Sequence, residues 1–464
     1  MPSEATAAAR KGLRPAFPCR GEGTGNHRII LQQRGASTTS ADERFRTGPD
    51  LVIHAPDDPR GPDGQNQHLN AIATPGGALL ATWTSASLEG ADDQRVLFSR
   101  STDGGATWPP PEVLDGAGPD DPPGTGMASW QFLIACPGVL PGGGPRIWCF
   151  YTKNVGVDDG RAADTGVLRG RFSDDDGASW SRDAFDYPIA PDAISHPDPA
   201  VPPVWIVYQN PAPLPDGSVI AGFTRWASNA VDPCPDMLRR MSECCFLRFE
   251  NILTQPDPAK LLVTTWPARP FGLRVDSPER PGVSVAQEPS VQPLPDGRLM
   301  CVMRTLRGML YFSLSEDGGR SWEGPRPLRF SPEGEPLKNP LAPAPLYRLR
   351  DGRYLLVFFN NDGSGHGGRG PTDAVNVRNP AWITVGRFIP GEREHPVRFG
   401  PPKVFADTGW VPAPGTDRTQ VASYCSLVET ERERLLFYPH RKTYLLAKRL
   451  TDGFLAGCDP GRPF

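Results

Sequence analysis

The sequence predicts an all-β chain closed into a six-bladed β-propeller of four-stranded antiparallel blades, and three observations carry that reading. With 50 glycines and 55 prolines among 464 residues, few stretches stay free of helix breakers, yet 38% hydrophobic and 9% aromatic residues are too many for a disordered chain. An apolar strand, a Pro/Gly/Asp turn and a second apolar strand recur six times. A shorter phrase, S-x-D-x-G-x-x-W, recurs three times at a matching phase.

The hairpins are NAIATPGGALLATW (70–83) and its counterparts at 134–151, 210–223, 289–303, 344–359 and, without its glycine, 424–439. Their turns, at Gly77, Gly143, Gly217, Gly297, Gly352 and near Glu433, are spaced by 55 to about 81 residues, which is room for one four-stranded blade plus loops. RVLFSRS (95–101), GVLRGRFS (166–173), MLYFSLS (309–315) and AWITVGRF (381–388) supply further strands between them. Residues 1–50 are polar and Gly/Ser/Thr-rich and read as a partly flexible N-terminal arm, leaving 51–464 as a single propeller. Pairing near the two ends of that span closes the ring and removes exposed sheet edges.

The shorter phrase is Ser101-x-Asp103-x-Gly105-x-x-Trp108, Ser173-x-Asp175-x-Gly177-x-x-Trp180 and Ser315-x-Asp317-x-Gly319-x-x-Trp322, each after a third-strand candidate. It suits a tight turn between outer strands: Asp accepts backbone N–H bonds, Gly takes a positive φ, and Trp tucks beneath. These turns are structural.

Composition narrows the function. A net charge of −4 without a Lys/Arg-rich run argues against nucleic acid and anionic membranes as partners, and no apolar window has the length of a signal core or membrane span. The chain therefore reads as cytoplasmic. Of nine cysteines, Cys149, Cys245, Cys301 and Cys425 sit in apolar runs and read as buried thiols. Cys234, Cys244 and Cys245 lack both a CxxC and a nearby His, so no metal site is expected. No GxGxxG opens a helix and there is no P-loop, so no cofactor is expected either. A small neutral or anionic ligand remains.

The hairpin geometry locates its site. The start of a first strand and the end of the second are neighbours in an antiparallel pair, so both ends lie on one face of the propeller. Blade by blade these ends are Gln67/His68 with Thr84, Trp130/Gln131 with Lys153, Gln209/Asn210 with Arg225, Glu288 with Arg304, Asn339 with Asn360, and Tyr424 with His440/Arg441. A polar ring around a central funnel is a ligand pocket.

The three turns look like the Asp-boxes of the sialidase (neuraminidase) superfamily, and TPGGALLATW through SRSTDGGATW resembles the opening blade of bacterial exo-sialidase-like BNR-repeat proteins. The resemblance covers about residues 65–450, but such boxes also occur in other glycosidases and in binding propellers, so function rests on the site. QEPSVQPLPDGRLMCVMRT resembles the segment in which a glutamate, here Glu288, partners a tyrosine nucleophile and an arginine, here Arg304, holds the substrate carboxylate. SYCSL resembles the stretch carrying that tyrosine, here Tyr424. The resemblance further implies Arg378 as a carboxylate-binding arginine and Asp93, in the loop before RVLFSRS, as acid/base. One departure is clear: Gln67-His68-Leu69-Asn70 stands where the family carries an Arg-Ile-Pro stretch, so His68 takes an arginine's place and offers one donor instead of a guanidinium fork. The resemblance implies an exo-acting glycoside hydrolase that cleaves a terminal acidic, sialic acid-like sugar through a Tyr/Glu pair, with substrate contacts from Arg304 and Arg378 and no metal; His68 and Arg225, on the strand-end ring, are the further candidate substrate contacts. Two alternatives stay open: another propeller glycosidase or a uronate lyase using His68 and Tyr424, and a non-catalytic carbohydrate-binding propeller.

Overall fold

Strands that are apolar along both faces must be covered on both, and the chain solves this by stacking six sheets around an axis. The computed structural model describes residues 43–461 except 119, 120, 123 and 269; the expected arm therefore lies outside the described residues up to position 42. Each blade runs antiparallel from the axis outwards, beginning with one of the repeated hairpins. Blade one is Gln65–Ala73, Leu79–Ala86, Arg95–Ser101 and Glu112–Gly116, and blade two is Ala128–Cys136, Arg146–Lys153, Val167–Ser173 and Phe185–Tyr187. Blade four is Ala286–Pro293, Leu299–Thr305, Tyr311–Ser315 and Arg326–Pro327.

Blades three and five keep this plan with one strand broken in two. The inner strand of blade three is split into Val204–Ile206 and Ala212–Pro213, both paired to Val219–Trp226. The outer strand of blade five is split into Val397–Phe399 and Lys403–Ala406, both paired to Ala381–Phe388. Blade six takes three strands from the C-terminal part of the chain, Ser426–Glu429, Arg434–His440 and Tyr444–Arg449. Its fourth is Leu51–His54, which pairs with Tyr444–Arg449 in the register Leu51↔Ala447 and closes the ring.

The core is divided among the gaps. Among the described residues, six buried apolar clusters each join one blade to the next: Leu80 and Phe98 to Leu133 and Ile147, for example, or Phe437 and Leu445 to Leu69 and Trp83. Cys149, Cys245, Cys301 and Cys425 are buried in these layers with free thiols. Among the described residues, no helix is long and apolar enough to cross a membrane.

The Asp-box turns sit between third and fourth strands. Asp103 accepts from Ser101 Oγ (2.8 Å) and Thr107 N (3.0 Å), and Ser101 Oγ accepts from Gly105 N (2.9 Å); Asp175 and Asp317 repeat the pattern. The indoles of Trp108 and Trp322 donate back to the Gly105 and Gly319 carbonyls, whereas that of Trp180 has no hydrogen-bond partner among the described residues. Each box also leans on the preceding blade: Trp322 stacks on Phe246 (4.2 Å), while Trp180 packs edge-on to Phe98 (5.8 Å) and Trp108 to Phe437 (6.2 Å). The boxes are therefore welds between blades as well as turns. Gly319 sits at φ +88°, a conformation side chains rarely adopt, and an added Cβ would lie 2.5 Å from Ile220 Cδ1 of blade three, which would have to shift. Gly319→Ala should cost about 1–3 kcal/mol, from left-handed backbone strain plus the clash, read as a fall in the chemical-denaturation midpoint.

Candidate active site

Three inner strands interrupt their pairing at the same level. The ladder of blade one skips from Gln67 to Asn70, that of blade two from Ser129 to Phe132, and that of blade four from Gln287 to Ser290. In each bulge the first residue takes a positive φ: His68 56°, Trp130 58°, Glu288 51°. Tyr424, ahead of the inner strand of blade six, has φ 68°. Left-handed backbone at non-glycine residues is costly and clusters where function requires it. Here it turns these four side chains out of the strand alternation and gathers them at one end of the axis. Below them, polar side chains close the channel: Asn210 Nδ2 donates to Ala71 O (2.9 Å) and Ser426 Oγ (3.1 Å), and Gln209 Nε2 to Leu346 O (2.8 Å).

Above this floor lies a pocket of about 310 Å³ whose lining includes Tyr424, Glu288, Arg304 and Arg378. Tyr424 Oη donates to Glu288 Oε1 at 3.0 Å. Glu288 Oε2 lies 2.8 Å from Arg304 Nη1 in an ion pair not aligned as a hydrogen bond. Arg304 is held from behind, with Nε and Nη2 both donating to Gln287 Oε1 (3.1 and 2.8 Å). Arg378 follows the short helix Ala374–Val377 and anchors Nη2 on Leu341 O (2.6 Å), while its Nε has no hydrogen-bond partner among the described residues. All four residues are at most 4% exposed. Burial pushes the Glu288 carboxyl above the usual carboxylate range against the pull of Arg304 and Arg378. Burial, then Glu288, pushes the Tyr424 phenol up while the two arginines oppose the rise. Burial therefore raises the proton affinities of base and phenol alike, and the same two cations limit the rise.

A second charged group of the lining has no counterpart among the residues expected from the sequence. Glu89 is pinned between Lys442 Nζ (2.6 Å) and Arg161 Nη2 (3.2 Å), and all three line the pocket. Arg161 also reaches Asp164 (3.2 Å), which accepts from the Trp130 indole (2.7 Å). Trp130, Ile206, Trp226 and Met237 give the pocket an apolar side.

Three expected site residues fall elsewhere. Asp93 accepts from Ser87 N (3.1 and 3.2 Å) and is spent on closing its own loop, so the carboxylate that this loop sends into the pocket is Glu89. His68 is buried behind Tyr424 and does not line the pocket: its ring stacks on Trp130 (3.4 Å), meets Tyr424 edge-on (4.9 Å) and places Nδ1 3.0 Å from Thr84 Oγ1. Burial holds it neutral, with a proton affinity well below that of an ordinary imidazole. Arg225 faces away from the funnel because strand alternation gives that side to its neighbours: Thr224 Oγ1 accepts from Glu288 N, and Trp226 lines the pocket. Arg225 instead pairs with Asp192 (2.8 Å) towards blade two.

That second cluster is the place to look for a metal. Asp192, Glu243 and Cys245 bring one ligand atom each within 4.8 Å of one another. The Arg225 guanidinium already neutralises Asp192, and burial together with Asp192 pushes the Glu243 carboxyl up to about 8. The cluster thus already holds a positive charge, the Arg225 guanidinium, beside Asp192. Because the folded chain holds the Glu243 proton up to about pH 8 while the unfolded chain loses it near pH 4.5, stability should decline as pH rises between those values. Thermal melts of Glu243→Gln should show a shallower decline over that interval than the parent.

A family model described as a BNR repeat-like domain matches residues 77–387. The fold is similar to that of a Hadza microbial sialidase, at 18% identity over 86% of this chain and 68% of that one, with a TM-score of 0.56. It is also similar to the leech intramolecular trans-sialidase complexed with 2,7-anhydro-Neu5Ac, at 15% identity over 87% and 70% with a TM-score of 0.54. A Dyadobacter fermentans protein of unknown function gives 16% identity over 87% and 97%, with a TM-score of 0.53. No curated protein matches the chain. At these identities the likeness is one of fold, and the chemistry has to be argued from side chains.

Proposed function

The chain belongs to the BNR repeat-like domain family, on the propeller fold of the sialidase superfamily, and on that premise we propose that it is a glycoside hydrolase releasing a terminal acidic sugar, with Tyr424 as nucleophile and Glu288 as its base. The observation that carries this reading is the buried Tyr424–Glu288 hydrogen bond of 3.0 Å beside Arg304 and Arg378. An anionic sugar repels a carboxylate nucleophile, whereas a neutral phenol approaches without repulsion and yields its proton to the adjacent glutamate as it attacks. Arg304 and Arg378 both line the pocket, and their guanidinium groups are cations suited to a substrate carboxylate. The sialidases among the structural neighbours support the same class of sugar. The uronate-lyase alternative keeps Tyr424 but loses the second of its two proton-transfer groups, since His68 lies outside the pocket lining.

A panel of aryl glycosides tests the proposal. Phenol release from sialosides or uronides, and none from neutral sugars, is expected. Faster release from a neutral sugar would sink the assignment of the two arginines.

A further inference from the structure

Cleaving a glycosidic bond requires a group that protonates the departing oxygen, and the proposed nucleophile pair does not provide one. Two pocket-lining carboxylates remain, Glu89 and Asp236. Asp236 is committed to Arg239 Nη1 (2.6 Å) and the Leu238 N–H (2.9 Å). Glu89 shares the pocket lining with Tyr424 and Glu288, and both of its partners are cations that also line the pocket. Resting on the hydrolase reading, we propose that Glu89 is the proton donor to the leaving oxygen and that Lys442 frees it for that role when the substrate's anionic group arrives.

The steps balance. Tyr424 Oη bonds to the anomeric carbon as its proton passes to Glu288; the bond to the leaving oxygen breaks, its electron pair staying on that oxygen, which takes the Glu89 proton. Water then attacks the anomeric carbon, giving its proton to the Glu89 carboxylate, while the tyrosyl C–O bond breaks and Glu288 returns the proton to Tyr424.

Before substrate binds, Glu89 is in the wrong state for the first step. Lys442 comes from the hairpin end of blade six, Arg161 from a blade-two loop and His68 from the inner strand of blade one; Arg378 and Tyr424 act on Glu89 at longer range. Lys442 and Arg161 outweigh the cost of burial and hold the carboxyl well below its ordinary range. Lys442 also feels the repulsion of Arg378, so an anionic group bound between these two cations relieves that repulsion and competes with Glu89 for Lys442. Arg161 keeps a second carboxylate, Asp164, and need not follow. With a counter-charge withdrawn, Glu89 gains affinity for a proton only when an anionic substrate is present, which couples catalysis to the charge of the sugar.

The test uses aryl and alkyl glycosides of the acidic sugar that the panel identifies. Glu89→Gln should slow cleavage of an alkyl glycoside on the order of 10²–10⁴-fold and that of a strongly activated aryl glycoside on the order of tenfold or less in a pre-steady-state burst. Glu89→Ala should be rescued by azide with formation of a glycosyl azide. Lys442→Met should move the alkaline limb of kcat/KM to higher pH, since the free enzyme then keeps the Glu89 proton longer, and Lys442→Arg should leave the limb in place. An equal loss from Glu89→Gln on both substrates, or an unmoved limb in a folded Lys442→Met protein, overturns the inference while leaving Tyr424 and Glu288 intact. Failure of the parent protein to cleave any glycoside overturns the hydrolase reading itself.

Discussion

Tyr424→Phe should lower kcat on an activated aryl glycoside of the acidic sugar by on the order of 10³-fold or more, with an unchanged melting curve. Phe keeps the ring that meets His68, Trp130 and Tyr208 edge-on, so packing survives. The oxygen 3.0 Å from Glu288 is all that disappears. Because an activated phenol leaves without help, no other lost step can mimic the defect, and KM should change little if Arg304 and Arg378 bind the sugar. Retention of the parental rate by this variant would remove the nucleophile assignment.

Glu288→Gln is the second large effect, on the order of 10²–10⁴-fold in kcat. Glutamine accepts the phenol hydrogen bond but cannot take the proton, and it leaves the Arg304 charge buried beside a neutral group. The stability change should be small, because burial already makes the ionised Glu288 costly to the fold and removing that cost offsets the Arg304 charge left beside a neutral group. Tyr424→Phe/Glu288→Gln should be no worse than the poorer single variant, since the two act as one unit. The pH profile carries a sign as well. Glu288 has to be ionised to work as a base, and burial raises its proton affinity, so activity should fall on acidification at a pH above the ordinary carboxylate range. That acid limb should be absent from the residual activity of Glu288→Gln.

The blades were legible because their signals are local. A Pro/Gly/Asp turn between two strands that bury both faces reads the same in every repeat, and the box Ser, Asp and Gly bond to one another within a few residues. Tyr424, Glu288, Arg304 and Arg378 were legible because they lie at strand ends or in stretches resembling a known family, and the structure brings all four into one pocket. The misplaced residues depend on backbone conformation. Arg225 is one residue from Trp226, and at a period of two that single step decides between funnel and interblade gap. Asp93 and Glu89 share a loop, and only its folding, with Asp93 turned back on Ser87 N, shows which carboxylate enters the site. Lys442 adjoins the expected ring residues His440 and Arg441, yet no pattern in the sequence distinguishes it from them. Arg161 comes from a loop that carries no motif at all.

The hydrolase reading stands on a covalent bond between Tyr424 and the sugar, and mass spectrometry of protein quenched in acid during turnover of the activated acidic glycoside looks for that bond itself. A mass increase of one glycosyl group is expected on the peptide containing Tyr424, present in the parent and in Glu89→Gln and absent from Tyr424→Phe. An adduct on any other residue, or sustained turnover by Tyr424→Phe with no adduct at all, would contradict it.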